Sequence, residues 1–119
     1  MTDSDLAKDL KPYYVYELVD PRDGQVFYIG KGLGARAFQH ELEAKNQSIE
    51  TEKTKIIREI ENTSMRVAVR VIGRYETEAQ AFAVEATLIH WVYGLDNLTN
   101  LQGGHGGSTI RAFGELGKL

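Results

Sequence analysis

The chain has 119 residues, room for one domain and one core, and its 42% apolar and 26% charged shares exclude a fibrous or disordered protein. A net charge of -3 argues against holding nucleic acid through bulk electrostatics, so any such contact must be local. With no cysteine, disulfides and thiolate metal sites drop out and only nitrogen and oxygen ligands remain. No apolar run approaches the roughly 18 residues of a membrane span, and the first residues are polar. A cytoplasmic protein with no membrane partner is therefore expected.

In chain order, residues 1 to 11 lack apolar periodicity and read as a tail, followed by a domain over 12 to 108 and an extension over 109 to 119. The β-branched and aromatic run Tyr13 to Val19, the turn Asp20-Pro21-Arg22-Asp23-Gly24 and the resumed pattern Gln25 to Ile29 predict a β-hairpin. With Asp20 opposite Gly24, Tyr16 falls opposite Tyr28 and both rings leave one face. Gly30 to Gly34 reads as a glycine-rich turn. Ala35 to Ala44 reads as a helix with Arg36 and His40, four residues apart, on one side.

A connector at 46 to 50 precedes a charged helix, Thr51 to Glu61, whose stripe is Ile56, Ile57 and Ile60 and which is expected at the periphery. Met65 to Tyr75 alternates as a half-buried strand, with Arg66, Arg70 and Arg74 together on its second face. The third helix begins after Thr77, with Gln80 completing a capping box, and runs to about Tyr93 before Gly94. Residues 97 to 108 form a glycine-rich loop. The order β-β-α-α-β-α predicts an α+β domain with a small, mainly antiparallel three-stranded sheet flanked by helices.

Glu85 is the most informative position. Its neighbours three and four residues away are Ala81, Phe82, Leu88 and Ile89, so the carboxylate lies within an apolar stripe. An ionised group there is costly unless it is paired or binds a cation. Either it reaches water or a lysine at the edge of the stripe, or it is a ligand, and a lone carboxylate suits Mg²⁺, whose remaining positions go to water and phosphate oxygens. Tyr16 and Tyr28 read as core aromatics or as phenols facing a phosphate-bound water. Arg36 and His40 read as a solvated helix face or as a phosphate grip beside an imidazole. His90 and His105 have no ligand spacing to each other or to His40, which argues against zinc. Gly30-Lys31-Gly32-Leu33-Gly34 lacks the lysine-serine ending of a P-loop, and it follows a hairpin instead of opening a parallel βαβ unit.

Taken together, Val15-Tyr16, the twelve-residue step to Tyr28-Ile29-Gly30, Arg36, His40, Glu85 and Asn100 resemble the GIY-YIG nuclease superfamily over about residues 13 to 101. The hairpin wording is closest to the branch of LEM-domain-linked nucleases. Tyr14 departs from the motif by replacing its first glycine. The resemblance implies a metal-dependent endonuclease that hydrolyses DNA phosphodiesters with one Mg²⁺ or Mn²⁺ on Glu85. It implies Tyr28 as base or water-orienting phenol, with Tyr16 in support and Lys31 lowering the cost of the phenolate. Arg36, and with it Lys31, would bind phosphate, His40 would assist in proton transfer, and Asn100 would brace the site. The implied partner is nucleic acid, with DNA preferred; a second copy or an accessory protein stays open. The alternative is a nucleic-acid-binding domain of the same fold without turnover.

Overall fold

A computed structural model of the chain describes residues 10–46 and 51–100. The expected tail up to residue 9, most of the connector, His105 and the C-terminal extension lie outside the described residues. Three strands, β1 (Tyr13–Val19), β2 (Val26–Leu33) and β3 (Ala68–Tyr75), form an antiparallel sheet in the order β2-β1-β3. The helices are α1 (Gln39–Lys45), entered through a 3-10 turn at Arg36–Phe38, α2 (Glu52–Asn62) and α3 (Glu78–Thr87). The domain is α+β, as the order of elements predicts.

Helices cover both faces of the sheet, and the reason is the pleat of β1. Tyr14, Tyr16 and Leu18 point to one side and pack with Ala37, Ala44, Ile57 and Ile60; Val15 points to the other and packs with Ala81 and Ile89. Every residue from Tyr14 to Leu18 is buried. Glu17 is among them, so its carboxylate must be paired: Arg70 Nε lies 2.6 Å from one oxygen and the Tyr93 hydroxyl donates to the other.

The hairpin forms with a register two residues away from the expected one. Tyr16 faces Gly30 and Tyr28 faces Leu18, because the loop closes through Asp20 N–H to Gln25 O at 2.9 Å and Phe27 bulges out of β2. A shift of two preserves parity, so Tyr16 and Tyr28 still share a face, with ring centroids 6.3 Å apart. The expected glycine turn also moves. β2 continues through Gly30 and Gly32 to Leu33, and the chain turns at Gly34, whose φ of 60° favours glycine. A Cβ on Gly30 would sit 2.3 Å from the Tyr16 ring, and one on Gly32 2.7 Å from the Tyr14 ring. The close approach these glycines permit is that of phenol rings.

Two further expectations are corrected. α2 is not peripheral: Ile57 and Ile60 are fully buried, each stabilising by about 1.5–3 kcal/mol. β3 is an edge strand with no buried residue, and a bulge at Ile72, where Val15 faces Gly73 and Tyr16 faces Val71, reverses its sides. Arg70 therefore reaches Glu17 on the α3 side, whereas Arg74 lies over the Tyr14 ring on the opposite side. Arg66, ahead of the strand, pairs with Glu41 at 2.8 Å. The three arginines do not form one face.

Thr77 caps α3 through the expected box, its Oγ1 accepting from Gln80 N–H while Gln80 Oε1 accepts from Thr77 N–H, each at 3.2 Å. After Thr87 the backbone widens into a π-helical segment, Leu88–Tyr93, before Gly94 ends the run with φ 84°. Among the described residues no helix is long and apolar enough to cross a membrane.

Candidate active site

β2 is an outer strand, and beside it a cleft of about 600 Å³ opens, lined from both faces of the sheet. Tyr16, Tyr28 and Arg36 line it from the α1 side, Lys31, Glu78 and Glu85 from the α3 side. Of the predicted site residues, these five other than Glu78 share one cleft. His40 and Asn100 do not line it and stand behind its walls.

Arg36 arrives through a device that sequence reasoning missed. The Tyr14 hydroxyl donates to Gly34 O at 2.5 Å and accepts from Ala37 N–H at 3.1 Å. One phenol thus fastens both ends of the turn that carries Arg36. The departure of Tyr14 from the family motif was the available signal, but the partners of its hydroxyl depend on the tertiary fold. Arg36 then bonds Gln39 at 3.1 Å and Glu43 at 3.2 Å, keeping 39% of its side chain exposed toward the cleft.

Glu43, absent from the sequence-based set, is where two cations meet. Besides Arg36 it accepts from Lys53 at 3.0 Å, and His40 Nδ1 lies 3.7 Å from the same oxygen. These cations hold its carboxyl below the usual range against the opposing effect of burial.

His40 is buried, with Nε2 2.5 Å from the Tyr16 hydroxyl and its ring edge against Tyr28 at 4.9 Å. Burial, reinforced by the charges of Lys53 and Arg36 and opposed by Glu43, lowers its pKa to about 4. The expected imidazole that titrates near neutral pH is therefore a neutral ring. Nδ1 has no hydrogen-bond partner among the described residues, and the nearby carboxylate favours the tautomer with its proton there. Nε2 then accepts from Tyr16.

Burial, and then the neighbouring Tyr28, raise the pKa of Tyr16 far above that of a free phenol. Tyr28 is raised too, mainly by burial, with Arg36 pulling it down and Glu85 pushing it up. Lys31 is not part of this balance. It projects to the α3 side, 2.8 Å from Glu78 and 4.1 Å from the Phe82 ring centroid. In the resting protein both phenols keep their protons.

Glu85 is 7% exposed between the buried Ala81 and Ile89, which matches the apolar stripe read from the sequence. Among the described residues there is no cluster of three or more histidines or acids. The donor set fits a cation held by a single carboxylate, with its other positions open to water and phosphate oxygens. Asn100 binds the free edge of β2, its Oδ1 accepting from Ile29 N–H at 3.1 Å and its Nδ2 donating to Ile29 O at 2.7 Å. It thereby fixes the backbone between Tyr28 and Gly30.

The LEM-3-like GIY-YIG domain model matches residues 13–115. The chain belongs to this family. It is therefore a domain of the GIY-YIG nuclease type, a superfamily that generally works with divalent metals on nucleic acid. No curated protein and no solved structure gives a significant match.

Proposed function

We propose that this GIY-YIG domain is an active endonuclease, hydrolysing DNA phosphodiesters with one Mg²⁺ or Mn²⁺ held by Glu85. The observation that carries the reading is the convergence of two phenols, a guanidinium and one buried carboxylate on a single open cleft at the edge of β2. A cation on Glu85 would supply positive charge to a phosphate oxygen and to the leaving group. Arg36 faces the same phosphate from the opposite wall and stabilises negative charge as it builds up in the transition state.

Tyr28 orients the attacking water through its hydroxyl, with Arg36 favouring the phenolate and burial opposing it. Tyr16, bonded to His40, supports this arrangement from behind. His40 acts on the reaction through Tyr16, and Asn100 acts through the backbone of Ile29. Lys31, tied to Glu78, is a weaker candidate for phosphate contact than Arg36.

Incubating the purified protein with labelled single-stranded, duplex and branched DNA, and with RNA, in Mg²⁺, Mn²⁺ or EDTA tests the reading. Products that need the metal are expected. Binding without metal-dependent products on any of these substrates would replace it with the inactive nucleic-acid-binding alternative.

A further inference from the structure

Beside the cleft the surface turns apolar. A groove of about 400 Å³ continues past Leu33, which lines both depressions, and is walled by Pro12, the Gly34-Ala35 turn, Phe38 and Arg74. Phe38 is 63% and Leu33 57% exposed, large apolar surfaces that the packing of the described residues does not use. Arg74 lies against the Tyr14 ring, 5.2 Å from its centroid. Arg36, two residues before Phe38, lines the cleft next door.

We propose that this groove holds an unstacked nucleobase flanking the scissile phosphate, so that the substrate is a strand with an unpaired nucleotide at the cut. The proposal rests on the nuclease reading above and names its substrate class. A nucleotide offers a flat π-face on one side and a phosphate on the other, and here Phe38 and Leu33 lie one step from Arg36. Stacking on an aromatic ring is indifferent to sequence and needs no net positive charge. That suits a chain of net charge -3, whose affinity must come from local contacts. In continuous duplex the flanking base is sandwiched between its neighbours and has to be extruded first.

The test measures binding of a short labelled single strand, and of its blunt duplex, to the full chain in EDTA. Phe38→Ala should weaken single-strand binding about five- to a hundredfold while leaving duplex binding unchanged. Leu33→Ala should do the same to a smaller extent, and both residues are exposed enough for the fold to tolerate the change. With Mn²⁺, an abasic nucleotide next to the cut should lower kcat/KM of the unaltered protein and have no further effect on Phe38→Ala. Unchanged single-strand binding by Phe38→Ala, or an equal loss on duplex, would overturn the proposal. So would a change in sedimentation without any change in oligonucleotide binding, which would assign this face to a second copy of the chain. Cleavage by an otherwise silent Phe38→Ala removes the groove alone; a chain that neither binds nor cuts any strand removes the nuclease reading with it.

Discussion

Where α1 and α2 meet the sheet, polar side chains bond one another: Tyr16 bonds His40, and Glu43 gathers Arg36 and Lys53. Where α3 meets the sheet, one buried carboxylate, Glu85, lines the cleft and pushes the pKa of both phenols upward. The first layer brings a guanidinium and two phenols to the cleft on a bonded network, and the second brings the carboxylate. Changes in the two layers should therefore separate stability from chemistry to different degrees.

The largest separation is expected at Glu85. Glu85→Gln should lower cleavage by about a thousandfold, the equivalent of the several kcal/mol that a metal contributes. Glutamine keeps the shape and size of the side chain, so the variant should still fold and the loss should be chemical. Single-turnover cleavage beside thermal melts measures both, and wild-type cleavage would end the assignment of Glu85. Arg36→Ala and Tyr28→Phe come next, each slowing the chemical step by about a hundredfold while DNA affinity is retained. If Tyr28 were only a core ring, removing its hydroxyl would leave the rate unchanged.

Tyr14→Phe should reduce the rate by about tenfold, since the ring stays and only the bonds to Gly34 and Ala37 are lost. Because this acts through Arg36, the effect should vanish in an Arg36→Ala background; additive losses would disconnect the two. For His40 the prediction concerns pH. Its pKa falls from 6.5 unfolded to about 4 in the fold, so the folded state gains its full benefit above pH 6.5 and loses it as pH drops toward 4. Burial sets this window first, with Lys53 and Arg36 around the ring deepening it and Glu43 opposing it. His40→Asn should flatten the decline in melting temperature over that interval, and an unchanged slope would relocate the titration. The smallest effect belongs to Arg66→Ala: its pair with Glu41 is at an exposed guanidinium, and thermal melts should show almost no change.

How far the sequence carried depended on the range of the interaction. The Thr77 cap, the Gly94 stop and the apolar stripe around Glu85 were legible because each involves residues a turn or less apart. The pairing of Tyr16 with Tyr28 survived a wrong register, since parity alone decides the face. The arginine face of β3 failed because the bulge at Ile72 inverts every side chain beyond it, and nothing in an alternating pattern marks where a strand bulges. His40 was expected on the side of Arg36, but its burial depends on Tyr16 and Tyr28, which are far away in sequence. The same holds for Tyr14, whose phenol finds partners twenty and more positions along.

Asn100 supplies with one side chain the two hydrogen bonds that another strand would make to Ile29. An outer strand that borders an open cleft faces a conflict, because its unpaired backbone groups invite another polypeptide to lie alongside. A carboxamide satisfies those groups while ending there, and it offers no further ladder to extend. The residue that steadies the site is thus also a plug against strand addition, which keeps the mouth of the cleft accessible in a crowded solution.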